Sequence, residues 1–271
     1  MGSGITETAA TSGFEVVLRS RSQATADATR AGMEKSLNRQ VEKGKKTEAE
    51  RDEALARVTA TDDLAALADC DLVIESVVED LAVKLDLFAE LDRITGEGAI
   101  LATNTSTLPV VEMAMKTNRP DKVCGIHFFN PAPVMALVEV VRPITASDET
   151  IAEAVAFAAT CGKTPVEVKD QAGFVVNALL FPYLNNAIRL MEQGVASAED
   201  IDTAMKGGCG FPRGPFALLD LVGLDTSLAI LDALYHEFRD PNYAAMPLLR
   251  RMVAAGQLGR KTGQGFLNYA R

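Results

Sequence analysis

Residues 125–140, GIHFFNPAPVMALVEV, constrain the fold of this chain more than any other stretch. They include one of only two histidines, His127, and a carboxylate near the far end, Glu139. Between these stands NPAP, whose two prolines fix φ and interrupt any continuous strand or helix. The apolar runs on either side, KVCGIHFF and VMALVEVV, read as strands. A rigid turn then holds the end of one strand, with His127, against the next, with Glu139. A carboxylate bonded to one ring nitrogen fixes the imidazole tautomer and leaves the other nitrogen to accept a proton. By itself such a pair also suits a purely structural role.

The 271-residue length allows a large core and two domains. With 48% hydrophobic and 24% charged residues, the composition is that of a globular protein rather than a disordered one. A net charge of −10 argues against nucleic acid as a partner and against an anionic membrane surface. An anionic cofactor would need a local basic patch. Cysteines 70, 124, 161 and 209 show no CxxC or close Cys/His spacing, so neither a metal nor a redox pair is expected. No basic-then-apolar leader is visible, and FVVNALLFPYLNNAI is broken by Asn and Pro before it reaches membrane-spanning length. A cytoplasmic location is the expectation.

In chain order, MGSGITETAATSG reads as a helix opened by glycines and closed by Gly13, with FEVVLR as a following strand. RSRS comes next, at Arg19, Ser20, Arg21 and Ser22. Residues 23–57 read as a helical hairpin broken at GKK, 44–46, with a basic group of Arg39, Lys43, Lys45 and Lys46. DLVIESVVED reads as a buried strand with a polar tip at Glu79 and Asp80, and 81–95 as a helix. AILATNTS is the next strand, ending at Asn104 and Ser106, and the hydroxyls of NTSTLP before Pro-Val suit a helix N-cap. Open α/β sheets bind ligands beyond the carboxyl ends of their strands, where Glu79, Asn104 and Ser106 fall. A helix at 148–161 and a strand at TPVEV close this part near Lys169. From Gly173 onward strand signals nearly vanish: a long helix from GFVVN is followed by helices at 198–206, 214–239 and 244–256.

IHFFNPAPVMALVEV, NTSTL at 104–108, GFVVN at 173–177 and LGRKTGQGF at 258–266 together resemble the 3-hydroxyacyl-CoA dehydrogenase family, in its order and over essentially the whole chain. The resemblance implies an α/β, Rossmann-like dinucleotide-binding domain over 1–170 and an all-helical substrate and dimerisation domain over 171–271. It implies that His127 acts as general base oriented by Glu139, while Ser106 and Asn177 hydrogen-bond the substrate oxygen. Gly2, Ser20, Arg21, Glu79, Lys84 and Asn104 would lie along the dinucleotide, and Arg39 and Lys43 at the coenzyme A phosphates of an acyl-CoA substrate. A homodimer through the helical domain is implied as well.

The likeness is incomplete in places. The chain starts at what resembles the third glycine of the dinucleotide motif, Gly2, so that about a dozen residues of strand and turn are expected ahead of it. Losing that strand would leave a neighbouring strand edge unpaired. Ser20 stands where an NAD-binding acid is expected; Ser and Arg suit a ribose phosphate, so the residues lean to NADP while the family leans to NAD. Ala136 replaces a common Lys, and Arg213 a neutral residue. A dehydrogenase of a free hydroxy or sugar acid, or a truncated or non-enzymatic relative, remains an alternative at this point.

Overall fold

The computed structural model describes residues 1–269, so the last two residues of the expected helical domain lie outside the described residues. The chain divides into two compact units, Met1–Asp170 and a second that begins at Gln171.

In the first unit strands and helices alternate. They are α1 (Gly2–Thr11), β1 (Val16–Arg19), α2 (Gln23–Glu42), α3 (Glu48–Ala56), β2 (Val58–Thr61), β3 (Leu72–Glu75), α4 (Leu81–Ile94), β4 (Ile100–Thr103), α5 (Val110–Ala114), β5 (Val123–Phe128), β6 (Leu137–Arg142), α6 (Asp148–Thr160) and β7 (Thr164–Lys169). β1 and β2 form a parallel pair of their own, and β3 to β7 form a five-stranded sheet in sequence order. All its neighbours are parallel except β5 and β6, which the short turn at 129–136 folds into an antiparallel pair. β1 and β3 are therefore each paired on one side only within the described residues. That position explains why β3 is only half-buried along Leu72, Val73 and Ile74, against the expectation of a buried strand. β4 and β5 lie inside the sheet, are buried at every position, and carry the near-continuous apolar runs that such strands need.

Helix ends follow local chemistry. Ser22 caps α2 by accepting from the Thr25 amide, and Thr47 with Glu50 forms a reciprocal capping box on α3. Gly44, at φ +65°, supplies the left-handed residue between them, within the expected GKK break. Ala10, Leu18, Met33, Leu37, Ala54 and Val58 form the core of this corner. The main core joins Ile5 and α6 to the inner strands through Ile100, Ile126, Val138, Val140 and Ile151. Burial of each such side chain contributes about 1.5–3 kcal/mol before entropy is counted.

The second unit is helical: α7 (Val176–Glu192), α8 (Ala198–Cys209), α9 (Pro215–Val222), α10 (Leu224–Phe238) and α11 (Pro247–Ala254). The helix expected over 214–239 is two helices, because Gly223 takes φ +102° and ends the first. The LGRKTGQGF stretch clasps α9. Asp220 accepts the amides of Phe266 and Leu267 at 3.0 and 2.8 Å, and a Cβ on Gly259 would lie 2.4 Å from the Asp220 carbonyl oxygen.

Candidate active site

His127 and Glu139 are register partners across β5 and β6. Facing residues on one side of an antiparallel pair bring their side chains together, and His127 Nδ1 lies 2.8 Å from Glu139 Oε2. The residues are 6% and 1% exposed, so the contact is screened little by solvent. The Phe129 ring packs at 4.5 Å, centroid to centroid, on the imidazole. The turn between the strands contains a cis Asn130–Pro131 bond. Lys163 fastens this turn, donating to the carbonyls of Ala132 and Met135 at 2.6 and 2.9 Å, and burial pushes its ammonium pKa down. On the other side Gly4 of α1 lies so close that a Cβ would meet Pro133 Cδ at 3.1 Å and Ala132 Cβ at 3.2 Å.

The β4 end is tied to the same place. Asn104 Oδ1 accepts the amide of Phe128, the residue after His127, at 2.8 Å. Asn104 was expected along the dinucleotide; one of its amide atoms is committed to holding the two strand ends together. Ser106 follows in the loop, half-buried, and its hydroxyl makes no hydrogen bond among the described residues. Its amide donates to Glu79 Oε1 at 3.1 Å. The first unit thus brings His127, Glu139, Asn104, Glu79 and the Ser106 loop into one linked set at the carboxyl ends of β3, β4 and β5.

Lys84, expected along the dinucleotide, lies on α4 with its side chain buried. Its ammonium is buried, with 1% side-chain exposure, donates to both Glu75 carboxylate oxygens at 2.7 and 2.9 Å, and forms an ion pair with Glu79 at 3.3 Å. The N-cap expected from NTSTLP is corrected. Pro109 stands at the α5 N-cap position, and the carboxylate of Asp170, after β7, accepts the Val110 and Val111 amides at 3.0 and 2.8 Å. The Thr105 hydroxyl instead turns the loop, accepting from Leu108.

Gly2 is the first residue of α1. Ser20 and Arg21 occupy the bend between β1 and α2, with Arg21 exposed. Beside them Asp62 Oδ2 accepts the Gln23 amide at 3.1 Å, and Asp27 Oδ1 accepts from the Gln23 side chain at 2.8 Å. Arg39 and Lys43 lie exposed at the C-terminal end of α2, where cations also favour the helix dipole, and neither is in an ion pair among the described residues. Asn177 lies in the second unit on the first turn of α7, 7% exposed.

Glu75, Thr103 and Asp170 were missed by sequence reasoning. A carboxylate inside the apolar run DLVIES was a visible signal for Glu75, since a buried charge needs partners. Nothing local marks Asp170.

A mainly parallel α/β sheet with an imidazole–carboxylate pair and a hydroxyl at its strand ends defines a dinucleotide-dependent oxidoreductase type. Residues 1–171 match the 3-hydroxyacyl-CoA dehydrogenase NAD-binding domain and residues 173–269 the 3-hydroxyacyl-CoA dehydrogenase C-terminal domain. The chain belongs to the 3-hydroxyacyl-CoA dehydrogenase family. It is 51% identical over 271 residues to a 3-hydroxybutyryl-CoA dehydrogenase of Mycobacterium tuberculosis, covering 99% of this chain and 95% of that one. It is 48% identical to the enzyme of that name from Clostridioides difficile, with 99% and 96% covered. The crystal structure of (S)-3-hydroxybutyryl-CoA dehydrogenase from Ralstonia eutropha superposes with a TM-score of 0.97 at 44% identity, over all of this chain and 96% of that one.

Proposed function

We propose that this protein interconverts (S)-3-hydroxybutyryl-CoA and acetoacetyl-CoA with NAD. The His127–Glu139 pair is the observation that carries the reading, and family membership supports the substrate class. His127, with Nδ1 facing Glu139, offers its other ring nitrogen to the 3-hydroxyl proton. Glu139 orients the ring and offsets the positive charge that develops on it. Ser106 and Asn177 donate hydrogen bonds to the substrate oxygen, holding the alcohol in line and polarising the ketone in the reverse direction. When bound, NAD supplies the hydride chemistry.

One observation favours a dinucleotide at the β3 end. Ser76 Oγ is buried there with no hydrogen-bond partner, and a Cβ on Gly2 would stand 3.8 Å from Ser76 Cβ. Gly2, Asn104 and Glu79, whose side chain keeps 40% exposure, are the residues of this edge that would hold it. NAD is preferred over NADP because the Asp62 and Asp27 carboxylates flank the Ser20–Arg21 bend and oppose a ribose phosphate. Arg39 and Lys43 supply the local positive charge that a coenzyme A phosphate needs in an acidic protein. A homodimer through the helical unit is supported by the exposed apolar Val175, Leu179 and Leu190, at 47%, 72% and 43%.

The test is reduction of acetoacetyl-CoA and of free acetoacetate, each with NADH and NADPH. Turnover of the thioester with NADH is expected. Preference for the free acid would favour a hydroxy-acid dehydrogenase instead.

A further inference from the structure

We infer that Glu75, Lys84 and Thr105 are positioning residues for Ser106, acting through Glu79. This rests on the reading of Ser106 as a hydrogen-bond donor to the substrate oxygen. The contacts begin at the last residue of β4 and end in the loop that follows it. Thr103 Oγ1 donates to Glu75 Oε2 at 2.8 Å. Glu75 holds Lys84, and also accepts the Val77 amide at 2.5 Å. Lys84 reaches Glu79 Oε2 at 3.3 Å. Glu79 Oε1 closes the ring by accepting the Thr105 hydroxyl and the Ser106 amide.

The charges explain why the ring is more than packing. Glu75 and Lys84 have side-chain exposures of 0% and 1%, and a buried ion pair by itself adds little that a well-packed apolar pair would not. Here the buried pair carries a third charge. Glu79 is 40% exposed, and among the described residues Lys84 is the one cation that draws its carboxylate inward, alongside the Thr105 hydroxyl and Ser106 amide it accepts. Lys84 therefore helps set where that carboxylate lies, and the carboxylate ties Thr105 and Ser106 to that place. Asn104 is fixed independently, by its amide on the Glu75 carbonyl and by its side chain on Phe128. Ser106 is thus located by its backbone while its hydroxyl keeps no partner among the described residues. Such a hydroxyl meets a substrate oxygen without first breaking a bond of its own.

The experiment uses the full chain with Thr105→Val, Thr105→Ser, Glu75→Gln and Ser106→Ala. Acetoacetyl-CoA reduction is followed at saturating NADH, and NADH affinity is read separately by fluorescence titration. Thr105→Val is expected to lower kcat about 10- to 100-fold, a larger change than any in NADH Kd. Thr105→Ser, which keeps the hydroxyl, restores kcat to within about three-fold of the original. Glu75→Gln moves kcat in the same direction as Thr105→Val; if it does not fold, the Thr105 pair carries the test. Thr105→Val combined with Ser106→Ala is no slower than Ser106→Ala alone, because both act at one donor. Losses that multiply, a Thr105→Ser variant as slow as Thr105→Val, or a loss confined to NADH affinity would overturn the inference while leaving the Ser106 reading in place. A Ser106→Ala enzyme with undiminished kcat is the separate outcome that removes the Ser106 reading, and this inference with it.

Discussion

His127 and Glu139 are direct partners across two antiparallel strands, 2.8 Å apart and shielded from solvent at the closed end of a proline turn. The strand register, and not only the side chains, fixes their meeting. Glu139→Gln preserves size and one hydrogen-bond acceptor but removes the charge that balances an imidazolium. It is expected to lower kcat on the order of 10²-fold with little change in KM. Steady-state kinetics check this, and an unaltered kcat would leave Glu139 a structural partner only.

Cofactor choice turns on the bend after β1. With Asp62 and Asp27 beside Ser20 and Arg21, the protein should use NADH in preference to NADPH. Asp62→Asn is expected to improve NADPH relative to NADH by roughly 3- to 10-fold, the effect of removing one nearby like charge. Arg21→Asp should move the ratio the opposite way. The ratio of kcat/KM for the two nucleotides is the measurement, and an unchanged ratio in both variants would show that this bend does not read the ribose.

Acid stability has an identifiable contributor in Asp92. Burial raises the pKa of its carboxyl, but the Asn118 amide, the Asn118 side chain and the Arg119 guanidinium outweigh that and hold it below the usual aspartate value of 3.8. A depressed folded value means the stabilisation is complete above the unfolded value and is lost as pH falls through the folded one. Asp92→Asn should cost about 1–3 kcal/mol at neutral pH, a difference that shrinks in strongly acidic solution. Urea unfolding across pH 2 to 7 reads it directly, roughly bracketing the carboxylate range.

Thiol chemistry should separate the cysteines. Burial pushes the Cys124 thiol up to about 12, whereas Cys209 is exposed at the end of α8. Brief alkylation of the folded protein should label Cys209 and leave Cys124 unmodified until denaturant is added. Peptide mass spectrometry distinguishes the two, and early labelling of Cys124 would show that the β4–β5–β6 interior opens readily.

The sequence and the structure agree most closely where the fold is decided locally. The proline turn, flanked by apolar runs, sets β5 against β6, so the His127–Glu139 pairing was legible at a distance of twelve residues. The α/β alternation and the all-helical second part were legible for the same reason. Glu75 left a signal in its apolar run, but its partners were not legible, because they come from β4 and α4 and meet only when the sheet forms. The cap of α5 by Asp170 spans 60 residues and leaves no mark on either segment alone. Gly223 reads as one glycine in a helical pattern, and only its positive φ reveals the break. The contacts of Lys84 were hidden for a related reason: burial between two carboxylates cannot be read from a lysine on a helix.

The most direct measurement is the oxidation of (S)- and (R)-3-hydroxybutyryl-CoA with NAD, run on the protein and on His127→Ala, with coenzyme A ester binding measured in parallel. The account predicts turnover of the (S) form alone, and a His127→Ala variant that binds the ester yet does not turn it over. Undiminished turnover in His127→Ala would contradict it.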